Sequence, residues 1–169
     1  MTKKNLISAS IEDMEALKKV RKRTIRENFG NILSSEQVDC LEAQDPNTDL
    51  EKHITKGTVY LFKKDENLEG YAQMKFTPRT GDNGICTLES FCSSKEALDE
   101  GIFEENFKAI EETVKKAGCY KIKGVATKPE LELLKRLGYS ESAPSYRHTR
   151  NGVTINYFPF SKTLFFPEM

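Results

Sequence analysis

The sequence predicts an α/β fold: a mixed, largely antiparallel central sheet flanked by helices. Three observations carry that prediction. At Gly57 the apolar spacing changes from helical to alternating, so strands take over from helices. Downstream, Phe103, Phe107, Ile110, Val114 and Ala117 form the cleanest amphipathic stripe of the chain. This stripe lies between two apolar strands, which makes a strand–helix–strand unit. Near the end, Asn151-Gly152 joins two extended segments and marks a hairpin.

The elements follow in order. Residues 6–9 suit a first strand. Ser10-Ile11-Glu12-Asp13 reads as a capping box, in which the serine hydroxyl and the acidic side chain satisfy orphan backbone N–H groups reciprocally. Met14, Leu17, Val20, Thr24 and Ile25 continue at helical spacing to about Asn28, and Gly30 stops the helix. Ser34-Ser35-Glu36-Gln37 opens a second helix that carries Val38 and Leu41 inward. Asp45-Pro46-Asn47 breaks it, and Leu50 with Ile54 adds a turn or two.

Residues 58–62 and 70–74 form strands around the turn Asp65-Glu66-Asn67, and residues 85–92 follow the turn at residues 79–84. Gly118 closes the amphipathic helix, and residues 121–126 form the next strand. Thr127-Lys128-Pro129-Glu130 is another capping box, with proline in the first turn where its missing N–H is no loss. Lys135, Arg136 and Gly138 end that helix as its dipole and C-cap prefer. Residues 146–150 pair with 153–160.

The bulk properties bound the function. A chain of 169 residues fits one domain, residues 1–169, with one core. Hydrophobic content of 37% and charged content of 31% mark an ordinary globular protein rather than a disordered one. The 26 basic and 26 acidic side chains cancel, so bulk charge points neither to nucleic acid nor to a membrane. The N-terminal residues lack a signal-peptide apolar stretch. The four cysteines, Cys40, Cys86, Cys92 and Cys119, form no CxxC pair, so reduced core thiols and a cytoplasmic location are expected. Neither His53 nor His148 belongs to a ligand cluster, and no metal site is expected.

The order of elements, together with Leu88-Glu89, the apolar strand after it, the loop length, Gly101, Ile102 and the following helix, resembles the GNAT superfamily of acetyl-CoA-dependent N-acetyltransferases. In that family the strand and loop read like L-E-x-x-Y-V-x-P-x-x-[RQ]-G-x-G-[IV]-[GA], which aligns without a gap on residues 88–103. The match departs at three coenzyme positions: Leu98 replaces the Arg or Gln, Asp99 the first glycine and Phe103 the last small residue. Further on, where family members often carry N-x-x-A-x-x-F-Y-x-x-x-G-[FY], Thr127 holds the asparagine position and Leu134 the position of a proton-donating tyrosine. Residues 160–164 also look like the family's last strand.

The resemblance implies that Phe91, Cys92, Ser93, Leu98, Asp99, Gly101, Ile102, Phe103 and Thr127 border acetyl-CoA, mainly through backbone groups. It also implies that backbone N–H groups near Cys92 and Ser93 polarise the reacting carbonyl. Glu96, Asp99, Glu100, Glu104 and Glu105 cluster at the same helix start. They complement an empty helix N-terminus. Against a pyrophosphate about 8 Å away, each would cost roughly 0.5 kcal/mol in water and about 2 kcal/mol at an effective dielectric near 20.

Glu89 is the candidate general base; otherwise it is a strand-rim glutamate. Cys92 is a packed thiol rather than a nucleophile, since no thiolate-stabilising partner accompanies it. Lys18, Lys19, Arg21, Lys22, Arg23 and Arg26 read as a solvated helix face, with an acidic-ligand groove as the alternative. Among Tyr60, Tyr71, Tyr146 and Tyr157, some are expected to face a cleft. Two functions remain: an N-acetyltransferase acting on a small-molecule amine or peptide acceptor, or a GNAT-fold binding or regulatory protein that has lost acetyl-CoA. A homodimer is expected by family habit.

Overall fold

The computed structural model describes residues 7–30, 33–43, 47–77, 84–95, 98, 100–150 and 152–166. The chain runs β1 (Ile7–Ser8), α1 (Met14–Phe29), α2 (Ser35–Ala43), α3 (Asn47–Thr55), β2 (Val59–Lys64), β3 (Asn67–Thr77), β4 (Gly84–Ser93), α4 (Glu100–Lys116), β5 (Cys119–Ala126), α5 (Lys128–Arg136), β6 (Ser140–Glu141), β7 (Tyr146–Arg150) and β8 (Val153–Thr163). A short 3-10 turn, Ile11–Asp13, leads into α1.

The helix starts work as their sequences predict. The Ser10 backbone N–H donates to Asp13 Oδ2 at 2.8 Å. At α2 the Ser34 N–H donates to Gln37 Oε1 at 2.9 Å, and the Gln37 N–H donates back to Ser34 Oγ at 3.2 Å. Gly30 ends α1 by a different route from the expected left-handed cap. Its φ is −60°, and its N–H still donates to Arg26 O. Gly152 does adopt φ +77°, as the β7–β8 hairpin requires.

The sheet order is β1-β2-β3-β4-β5-β8-β6, with β7 also on β8. Among the described residues only β4 and β5 pair in parallel, because α4 carries the chain back across the sheet between them. Two segments differ from the sequence reading. The last hairpin strand and the separate final strand are one element, β8, which pairs with β7 along residues 153–157 and with β5 along residues 158–163. The two-residue β6 was not foreseen; it is a short pairing of Ser140 and Glu141 onto β8, imposed by packing rather than by any alternation of its own.

Two apolar layers cover the sheet. On one face Leu17 and Val20 of α1 and Leu50 and Ile54 of α3 pack on Val59, Leu61 and Tyr71. On the other, Phe103, Phe107, Ile110 and Val114 of α4 join Leu131 and Leu134 of α5 over Met74, Leu88, Ile122 and Phe160. Four of the five stripe residues, Phe103, Phe107, Ile110 and Val114, therefore form the buried face of α4, whereas Ala117 lies just past its end and is exposed. Cys86 and Cys119 are buried free thiols, and burial pushes Cys86 up to about 12, so neither is a nucleophile at neutral pH. Among the described residues, no helix is long and apolar enough to cross a membrane.

Candidate active site

The site begins where β4 and β5 part. Their pairing runs from Gly84–Cys119 to Leu88–Gly124 and ends there. Beyond it, β4 continues to Ser93 on β3 alone, and β5 continues to Ala126 on β8 alone. Two local features cause the parting. Gln73 opposes Ser90 while Met74 opposes Leu88, so Glu89 is the extra residue of a β-bulge, which bends the strand. Gly124 makes the last close contact possible: a Cβ there would lie 2.9 Å from Phe160 Cζ and 3.1 Å from Leu88 O. The Phe91 ring then stands edge-on to Phe107 at 5.9 Å and to Phe160 at 6.3 Å, filling the floor of the opening with aromatic surface.

A cleft of about 460 Å³ lies at this opening. Arg21, Thr24, Ile25, Asn28 and Phe29 of α1 form one wall. Glu89 and Phe91 of β4, with Val125 of β5, form the base. Thr127 and Glu130 border the start of α5, and Tyr146, His148 and Tyr157 come from the β7–β8 hairpin. The cleft thus gathers residues from widely separated parts of the sequence. Of the tyrosines singled out in the sequence, Tyr71, Tyr146 and Tyr157 line it. Tyr60 instead packs against the α4-side core.

Two carboxylates reach the cleft in different environments. Glu89 is partly exposed, and its Oε2 accepts from Gln73 Nε2 at 3.3 Å and sits 3.4 Å from His53 Nε2. Glu130 is buried, and its Oε1 accepts from the Thr127 N–H at 3.0 Å and from Thr127 Oγ1 at 2.7 Å. Burial pushes the Glu130 carboxyl up to about 7 against the opposing pull of those two Thr127 bonds. Burial, then the neighbouring Tyr146 and Glu130, also raises the Tyr157 hydroxyl.

The loop toward α4 is built differently. Asp99 lies outside the described residues, as do the side chains of Cys92, Ser93 and Glu100. Leu98 packs partly against the core, and its N–H donates to Ser94 O at 2.9 Å. Phe103 is buried and stacks on Phe107 at 4.6 Å. Its side chain therefore leaves the space beside the loop, although it stands where the family has a small residue. Glu104 turns to Lys108 at 3.0 Å, and Glu105 is exposed.

Of the basic residues of α1, Arg21 lines the cleft and three others are paired with carboxylates. Arg23 is salt-bridged to Glu69, Lys18 lies near Glu15, and Arg26 lies 3.9 Å from Asp39. Glu69 also accepts from Ser94 Oγ, and Glu27 Oε2 accepts from the Lys95 N–H at 2.7 Å. These contacts tie α1, a wall of the cleft, to the loop that precedes α4.

Solved structures share this overall fold. A GCN5-related N-acetyltransferase from Rhodopseudomonas palustris superposes with a TM-score of 0.72 over 97% of this chain and 99% of its own, at 14% identity. The PaiA N-acetyltransferase from Thermoplasma acidophilum, solved with coenzyme A, gives 0.72 over 94% and 98%, at 16% identity. A ribosomal-protein-alanine N-acetyltransferase from Brucella melitensis gives 0.62 over 94% and 99%, at 16% identity. This is the GNAT fold. No protein-family model matches the sequence, and no curated protein matches it. The likeness therefore lies in the course of the backbone.

Within the GNAT frame, the sequence located Glu89, Phe91 and Thr127 at the opening. It did not locate Glu130, whose capping-box role was read but not its place on the cleft wall. His53 was also missed as a partner of Glu89, 36 residues away in the chain. No local pattern around His53 marks that contact. The position of the family's tyrosine is Leu134, fully buried in the core.

Proposed function

We propose that the chain is an N-acetyltransferase that transfers an acetyl group from acetyl-CoA to a primary amine. The observation that carries this reading is the parting of β4 from β5 at Leu88 and Gly124, directly beside a cleft that holds Glu89. The opening leaves the β5-facing edge of residues 89–93 without its neighbouring strand, so backbone groups there suit an extended polar ligand.

The residues present fit acetyl-CoA. The Phe91 and Ser93 N–H groups alternate with those turned to β3 and so face the open edge, and the backbone at Gly101, Ile102 and Phe103 forms the start of α4, where a helix N-terminus favours phosphate. Phe103 is turned inward, and Glu104 is neutralised by Lys108. When bound, acetyl-CoA supplies an activated thioester carbonyl. The chain's own part is to present the amine in its reactive form. A primary amine near neutral pH is mostly ammonium, which lacks the lone pair needed to attack. Glu89 is placed to take that proton. Aromatic faces from Phe29, Tyr71 and Tyr157 suit the cation before it is deprotonated. Tyr157 is the hydroxyl nearest in role to the absent family tyrosine, because Leu134 has no proton to give.

The competing reading is a GNAT-fold binding or regulatory protein without acetyl-CoA. Leu98 and Leu134 favour it, since each replaces a polar family residue with an apolar one. Isothermal titration with acetyl-CoA, and with free CoA as second ligand, separates the two. Micromolar binding is expected for the enzyme. Absence of binding at millimolar coenzyme would sink the acetyltransferase and leave the binding module.

A further inference from the structure

We propose that His53 is the positioning residue for Glu89, holding one carboxylate oxygen so that the other serves the cleft as proton acceptor. The kinetic part of this inference rests on the acetyltransferase reading; the geometric part does not. As the extra residue of a bulge, Glu89 has no directly opposed partner in the β3–β4 ladder to fix its side chain. Its orientation must come from side-chain contacts. Two nitrogens converge on the same atom: Gln73 Nε2 donates to Oε2 at 3.3 Å, and His53 Nε2 lies 3.4 Å from it. Oε1 has no hydrogen-bond partner among the described residues, although Glu89 lines the cleft. His53 comes from the last turn of α3 and is not among the residues lining the cleft, so it can act on a bound amine only through Glu89.

The other side of the imidazole explains how it keeps this contact. His53 Nδ1 lies 3.1 Å from Thr58 Oγ1, and that hydroxyl is also 3.1 Å from the His53 carbonyl oxygen. Thr58 has one hydroxyl proton and two places to send it. Directed at Nδ1, it leaves the neutral ring with its proton on Nε2, donating to Glu89. Directed at the carbonyl, it leaves Oγ1 to accept from an Nδ1–H, and the neutral ring then turns a bare Nε2 toward Glu89. The hydroxyl proton directed at Nδ1 is therefore the arrangement that holds Glu89. A proton taken from the amine moves to Glu89, leaving the nitrogen lone pair for attack, while Nε2–H continues to hold Oε2.

The deciding measurement is long-range proton–nitrogen NMR of 15N-labelled protein, which reads the tautomer directly; with two histidines in the chain, assignment is simple. The neutral His53 ring is expected to carry its proton on Nε2, and Glu89→Ala to abolish that preference. A wild-type ring protonated on Nδ1 with a bare Nε2 overturns the proposal. Kinetics with acetyl-CoA and putrescine or phenethylamine as probe acceptor tests the consequence.

His53→Ala should lower kcat about 100-fold, the scale of a misplaced catalytic group, with little change in the KM of the amine. His53→Gln, whose amide can donate to Oε2, should recover most of the loss. Thermal melts of both variants identify any simple loss of folding. Wild-type kcat in folded His53→Ala, beside an inactive Glu89→Gln, sinks the positioning role and leaves acetylation standing. Full activity in Glu89→Gln overturns the base assignment, and the positioning role with it.

Discussion

The cleft around Glu89 and the loop between β4 and α4 adjoin each other but are made of different chemistry. The cleft depends on side chains: two carboxylates, a histidine behind one of them, and tyrosines from a distant hairpin. The loop depends on main chain and on contacts that hold it, such as Glu27 with the Lys95 N–H and Glu69 with Ser94. Main-chain donors survive a change of residue type, whereas a carboxylate does not. This contrast explains how the coenzyme motif can lose Arg or Gln, a glycine and a small residue while the backbone keeps the GNAT course. It also says where damage should be greatest.

The largest effect is expected in the cleft. Glu89→Gln should reduce kcat by about 10²–10⁴-fold, the usual worth of a general base, while acetyl-CoA affinity by calorimetry stays the same. If affinity falls in parallel, the two regions are not separable and the comparison breaks.

Next comes the buried carboxyl of Glu130. Burial pushes it up to about 7, above the ordinary glutamate range, so the fold favours the protonated form. The stability this brings is complete below the ordinary glutamate range and is lost as pH rises through about 7. The full swing is at most about 3 kcal/mol. Urea unfolding across that window should show the wild type losing stability relative to Glu130→Gln, which keeps a capping side chain but does not titrate. Parallel curves for the two proteins would remove Glu130 from the list of groups able to exchange a proton near neutrality.

A change at the junction of the two regions should be intermediate. Gly124→Ala puts a methyl 2.9 Å from Phe160 Cζ and 3.1 Å from Leu88 O. Overpacking of this kind costs about 1–3 kcal/mol. Because the clash sits where β4 and β5 part, coenzyme binding should weaken together with stability. Loss of stability alone would place the opening under the control of the Glu89 bulge instead.

The smallest effect belongs to the loop. Leu98→Arg combined with Asp99→Gly should tighten acetyl-CoA binding by on the order of 1 kcal/mol, about fivefold. Unchanged affinity would mean that main-chain groups already set the limit there, which sharpens the contrast rather than weakening it.

Much of the architecture was legible because its signals are local. Capping boxes at Ser10 and Thr127, the apolar stripe of α4 and the Asn151-Gly152 turn each report the conformation of a few neighbouring residues. The union of two segments into β8 was not legible, since its halves are held by different partners, β7 and β5. Nor was β6, which has two residues and no pattern of its own.

The sequence by itself determined the α/β order, the helix ends, the buried face of α4 and the presence of a glutamate on the fourth strand. Periodicity and capping are properties of adjacent residues, so they can be read along the chain. Only the tertiary structure decided that Glu89 is a bulge residue, that Leu98 packs partly against the core, and that His53 stands behind Glu89. Each of these follows from how separate elements pack. A bulge exists only relative to the partner strand, and a side chain beside a helix start is inside or outside according to what lies beneath it. A contact 36 residues apart forms because α3 is held against the β2 side of the same sheet that carries β4.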